Sequence, residues 1–144
     1  MDGVKPIKFL YDRDPKNYEK TRPLNVSESE ALKLFFRNVA KTGRNRSWRI
    51  ATVILPDNAE IYANMARKAR AFVDLDPRRA EALEICTKSG FLCEDISKLI
   101  YEKALQQGKN PFFSDDRHFS RFGISIVAEH FAELTARTLQ STGK

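Results

Sequence analysis

Ile50-Ala51-Thr52-Val53-Ile54-Leu55 is a nearly unbroken apolar run that stops at Pro56. It is too short for a buried helix. A short run rich in β-branched side chains, with no polar alternation, suits a strand covered on both faces. Such strands belong to parallel sheets, whose neighbours are joined by helical crossovers, so this run alone directs the chain toward an α/β fold.

The flanking sequence alternates accordingly. Ser27 and Glu30 have the Ser-x-x-Glu spacing of a capping box, and Leu32, Phe35, Phe36 and Val39 follow on one face of a helix that Gly43 is expected to stop. A second helical stretch runs from Ala59 to Phe72. The next is marked by Asp76 as N-cap, Pro77 at the first helical position and Gly90 beyond the end. Phe91-Leu92-Cys93 reads as a strand. Asp95 or Ser97 opens a helix to Gly108, and Pro111-Phe112-Phe113 is a brief extended piece. Residues 114–123 form a loop before a last helix with an apolar stripe of Ile124, Val127, Ala128, Phe131 and Leu134. The expected fold is therefore layered α/β/α, a partial parallel sheet of two or three strands with flanking helices. Residues 1–26 are irregular, although Ile7–Tyr11 has the composition of a short strand; 27–140 form the α/β unit and 141–144 a tail.

With 144 residues the chain has the length of one ordinary domain. No apolar run approaches the ~18 residues that span a bilayer, and Met1–Lys5 lacks the apolar core of a secretory signal. The compartment is not fixed by the sequence. The net charge of +6 would favour an anionic partner. One dense basic stretch exists, Lys41, Arg44, Arg46 and Arg49, with little aromatic interleaving; other cations lie among acids, so a solvated surface is expected and nucleic acid is a minor alternative. Cys86 and Cys93 match no zinc spacing. Buried thiols are the expectation, and a single bridge across the turn at Gly90 is the alternative.

Chemistry is most concentrated in Ser114-Asp115-Asp116-Arg117-His118. This segment follows the last extended piece and precedes a helix, which puts it on the strand-end edge where open α/β sheets hold ligands. A histidine works as a general base near neutral pH when a carboxylate orients its ring, and Asp115 stands three residues before His118 in a tight turn. The other ring nitrogen then stays free for a hydroxyl nucleophile. As residues alone, the pattern is also that of a plain polar turn. No further His or Cys completes a metal set, so neither metal nor cofactor is expected. His130 reads as a helical filler, and Tyr62 and Asn64 as structural side chains near the cleft.

Read with its surroundings, Phe113-Ser114-Asp115-Asp116-Arg117-His118-Phe119-Ser120-Arg121-Phe122-Gly123, running into an amphipathic helix, resembles the last signature block of the SGNH (GDSL-type) hydrolases, a DxxH motif followed by a small polar residue and Gly. Ile54–Tyr62 is similar to the strand-Pro-x5-Tyr passage of bacterial members, and Ile85–Ile96 to their helix-Gly-strand-Asp passage. The resemblance spans about residues 48–140. It implies a flavodoxin-like fold, with His118 as general base and Asp115 as its orienting carboxylate. Asp116 is the alternative partner, because some relatives use a DxH spacing. It also implies an ester or acylated-carbohydrate substrate, an acyl-serine intermediate and a leaning toward the cell envelope.

The family's Gly-Asp-Ser nucleophile block is absent. Gly3 is followed by Val4, Ser27 caps a helix, and the oxyanion-hole blocks are unrecognisable. The resemblance thus implies the C-terminal half of such a domain, whose missing N-terminal half is a candidate partner. A chain without the nucleophile is expected not to hydrolyse esters alone. A non-catalytic α/β binding or scaffolding module is the alternative, and a basic nucleic-acid-binding domain a third.

Overall fold

The computed structural model describes residues 22–46, 48–67, 71–113 and 118–140. Within them run α1 (Val26–Asn45), β1 (Ala51–Ile54), α2 (Asn58–Ala66), α3 (Pro77–Lys88), β2 (Leu92–Asp95), α4 (Ser97–Gln107) and α5 (Arg121–Gln140), a mixed α/β arrangement. The two strands pair in parallel, Ala51 opposite Leu92 and Ile54 opposite Asp95. The apolar run after Arg49 does form a strand, whose partner is the one read after Gly90, but Ala51–Ile54 are half-buried and Leu55 is exposed, so it is not covered on both faces as expected.

Alternation along β2 sends side chains to two different sets of helices. Cys93 and Asp95 point toward α3, through the Cys86–Cys93 disulfide and an ion pair with Arg79. Glu94 points the other way, to His130 and Arg137 of α5. Two apolar cores result. Phe36, Ile85 and Cys86 fill the space between α1, α3 and the strands, with Leu32, Phe91 and Cys93 around them. Ile61, Tyr62, Ile96, Ile100, Tyr101, Phe112 and Ile126 join α2, α4 and α5 over Val53. Each fully buried aliphatic or aromatic side chain there contributes on the order of 1.5–3 kcal/mol.

The disulfide replaces the expected free thiols. Gly90, at φ +85°, reverses the chain so tightly that the last turns of α3 lie on β2, with the two Cα atoms 6.2 Å apart. Helix α1 begins earlier than expected. Asn25, not Ser27, is the N-cap, and it forms the capping box with Glu28 at the same spacing that Ser27 has to Glu30. Arg22 pairs with Glu28 as well, and together these hold the Glu28 carboxyl down at about 2. Nor does Gly43 stop α1: it is buried inside the helix, where the Ile50 side chain lies 2.9 Å from the position its missing Cβ would take. Phe35 is exposed, and the buried line runs through Ser29, Phe36, Ala40 and Gly43.

Helix α5 is rotated from the expected stripe. Ile126 and Leu134 are buried, whereas Ile124 and Phe131 face solvent. The cause is Gly123, which packs on the Pro111 carbonyl so closely that a Cβ would come within 2.0 Å of the oxygen. Positions three, seven and eleven residues later then share the inward face. The expected third strand does not join the sheet among the described residues; Phe112 makes an antiparallel bridge to Phe119 instead. No helix among the described residues is long and apolar enough to cross a membrane.

Candidate functional site

Both strands end on one edge, and three features meet there. The first is a buried ion cluster. Asp57 caps α2 just beyond β1, which turns Glu60, in the first turn, inward to 0% exposure. Asp76 and Pro77 start α3 on the same edge and aim Arg79 at Glu60. The guanidinium donates to both Glu60 oxygens, with Nη2 to Oε1 at 3.0 Å, while Nη2 also reaches Asp74 at 2.8 Å and Nε reaches Asp95 at 2.9 Å. The Leu75 amide donates to Glu60 as well, at 2.7 Å. Burial pushes the Glu60 carboxyl up, against the pull of Arg79 and that amide. Burial would lower Arg79, but its bonds to Glu60 and Asp95 outweigh it and hold the guanidinium above its ordinary value. With Glu60 sealed and Arg79 engaged on three carboxylates, the cluster locks α2, α3 and β2 together.

The second feature is the loop that bears His118. The Phe113 amide donates to the His118 carbonyl at 3.0 Å, and the Ser120 amide donates to the Pro111 carbonyl at 2.9 Å. The Phe112 and Phe119 rings stack with centroids 4.5 Å apart. Tyr62, buried to 2%, donates its hydroxyl to the Phe112 carbonyl at 3.2 Å, tying the loop to the second turn of α2. Ser120 Oγ donates to the Asn110 carbonyl and accepts the Gly123 amide, fixing the start of α5. From there α5 runs back along the strands until Arg49, just ahead of β1, donates to the Thr138 carbonyl at 2.8 Å. The loop base is therefore at the carboxyl end of the sheet. His118 is solvent-exposed on this clamped loop. Asp115 and Asp116 lie outside the described residues.

The third feature is Ser97, at the junction of β2 and α4. It is buried, and both its amide and its hydroxyl donate to Asp95 Oδ1. Its oxygen is thus enclosed and cannot meet a substrate. Ser27 is exposed in the first turn of α1, clear of any strand end.

Tyr62 proves to be the anchor of the His118 loop, and Asn64 closes the stretch after α2 by bonding both the amide and the carbonyl of Val73. His130 has a partner that sequence spacing does not show. Its Nε2 lies 2.6 Å from Glu94 Oε2, and Arg137 bonds the other oxygen at 2.7 Å. The Arg137 bond, then the His130 bond, keep the Glu94 carboxyl below its usual range against partial burial. This trio fastens α5 to β2 and is more than the filler expected of His130. Among the described residues no group of three or more His, Cys, Asp or Glu side chains is arranged to hold a metal ion. Comparisons with known protein families, with curated proteins and with solved structures find no match.

Proposed function

We propose that this chain supplies the histidine–aspartate half of an SGNH-type serine esterase or O-acyltransferase site acting on an ester or acylated carbohydrate, and that it is inactive without a serine supplied from elsewhere. The observation that carries this reading is an exposed His118 on a loop braced by Tyr62, the Phe112–Phe119 pair and Ser120 at the carboxyl edge of a parallel strand pair. Helices against both faces of that pair fit the flavodoxin-like layering of the SGNH type.

On this reading His118 takes the proton of an incoming serine hydroxyl as the oxygen attacks the ester carbonyl. It then returns that proton to the departing alcohol, leaving an acyl-serine. Asp115, or Asp116, orients the ring through its second nitrogen. One observation favours the non-catalytic alternative, a binding or scaffolding module: Ser97, at a strand-to-helix junction, is sealed against Asp95.

The test is the ring tautomer of His118 by nitrogen-resolved NMR, with His130 as internal reference. The neutral ring should carry its proton on Nδ1, and Asp115→Asn should move it toward Nε2 while Asp116→Asn does not. A tautomer balance indifferent to both substitutions removes the orienting carboxylate and with it the proposal.

A further inference from the structure

At the opposite end of the strands the structure gathers cations that look scattered in the sequence. Lys33, Arg37 and Arg44 stand on one side of α1 and line a groove of about 380 Å³ against Lys88 and Ser89 of the α3 terminus. Ala40 and Arg44 continue into a cleft of about 630 Å³ bounded by Trp48, Arg49 and Gly90. Steps of three or four residues along a helix advance ~4.5–6 Å and stay on one side, so Lys33, Arg37, Lys41 and Arg44 form a file along α1. Lys33 is paired with Glu30, Lys88 with Glu84 and Arg137 with Glu94. Arg37, Lys41, Arg44, Arg46 and Arg49 make no ion pair with any carboxylate among the described residues.

The end of the file is built around an aromatic ring. Gly43 has no Cβ, so Ile50 packs against α1 and the Trp48 amide bonds the Gly43 carbonyl at 2.8 Å. That bond holds the indole outward at 55% exposure, with the Arg46 guanidinium 4.9 Å from its centroid. Phe35 and Phe131 are also exposed, so exposure alone does not single Trp48 out; its place at the end of the cation file, on the rim of the cleft, does.

We propose that this face binds single-stranded nucleic acid, its backbone running along Arg37, Lys41 and Arg44 and a base stacking on Trp48. A groove that tracks a backbone, closed by an aromatic platform, is the general solution for single strands. Four of these five cations are arginines, whose planar forks match phosphate oxygens; Arg49 already spends one donor on the Thr138 carbonyl. The surface is concave, which suits a chain better than a membrane, and the file follows one backbone rather than crowning a helix that could enter a duplex groove. The inference does not rest on the esterase reading, because the face lies at the other end of the strands from His118.

Trp48 is the sole tryptophan of the chain, so it reports its own occupancy. Titration with a short oligothymidylate should quench its fluorescence. Three phosphate contacts give a slope of about −2 in log affinity against log salt, or roughly a 20-fold loss from about 50 to about 200 mM. Arg37→Ala with Arg44→Ala should flatten that slope by about 1.4, since each lost contact removes ~0.7. Lys98→Ala with Lys103→Ala, an equal charge loss on α4, should change nothing, and an unaltered far-ultraviolet dichroism spectrum establishes that each variant is folded. Binding without quenching, equal loss in the α4 variant, or stronger binding to polygalacturonate or to phosphatidylglycerol vesicles than to the oligonucleotide would each overturn the proposal.

Discussion

Replacing Arg79 by Met tests whether the ion cluster at the strand ends holds the fold. The side chain is 5% exposed and its partner Glu60 is 0% exposed, so the substitution leaves a carboxylate sealed in the interior with only the Leu75 amide. Removing one partner of a buried pair costs about 3–5 kcal/mol, most of it the price of the stranded charge. At roughly 2–4 °C per kcal/mol for a domain of this size, the melting temperature should fall by roughly 10 °C. Glu60→Gln should cost far less, because Arg79 keeps Asp95 and Asp74. The double variant should recover much of the loss.

The pH dependence has a definite sign. Burial already raises the Glu60 carboxyl above its ordinary value, and without the guanidinium it rises further. A carboxyl raised in the folded state contributes stability that is fully present below the unfolded value of 4.5 and is lost as pH rises through the folded value. Arg79→Met should therefore cost least below the unfolded value and most at pH well above the folded one. Guanidinium denaturation of the four chains across that range measures all of this. A cost under about 1 kcal/mol for Arg79→Met, or a double variant as weak as the single one, would refute a stranded-charge origin.

Reducing the Cys86–Cys93 bridge, which closes a short loop, should lower stability by about 2 kcal/mol, read as a shift in urea midpoint with and without reductant. Gly123→Ala should cost about 1–3 kcal/mol, since the new methyl meets the Pro111 carbonyl, and should shift the His118 resonances as the loop moves; unchanged resonances would refute the packing argument. Gly90→Ala, where no atom lies within 4 Å but φ is +85°, should cost about 1–2 kcal/mol from backbone strain alone. The Asn25–Glu28 box should persist well below the unfolded carboxyl value of 4.5 and fray only as pH falls toward about 2, because a lowered value preserves the ionised partner. Loss of the Asn25 amide protection already at pH 4.5 would contradict it.

Much of the frame was readable because it rests on local chemistry. Asp76, Pro77 and Gly90 delimit α3 through cap geometry that depends on a few neighbouring residues, and the apolar run after Arg49 needs only its own composition to be a strand. What escaped depends on distant partners. Gly43 resembles a helix stop until Ile50 is folded against it. The rotation of α5 follows from Pro111, and the carboxylates of Glu60 and Glu94 look like surface charges until Arg79, His130 and Arg137 arrive from other helices. The candidate site divides in the same way. His118 could be singled out from its neighbours in sequence, but its bracing by Tyr62 crosses more than fifty positions and no periodicity announces it.

The strand pairing has a kinetic consequence. Ala51 and Leu92 are partners 41 positions apart, so the sheet cannot begin until a long loop has closed, an entropic cost of about 3 kcal/mol by loop-closure scaling. Helices form orders of magnitude faster than such contacts are found. α3 is the intervening element that touches both strands, and its docking shortens the search by delivering β2 to β1. If the sheet forms late, after the helices assemble, mutations in its strands should speed unfolding more than they slow folding, which chevron kinetics of Val53→Ala would measure.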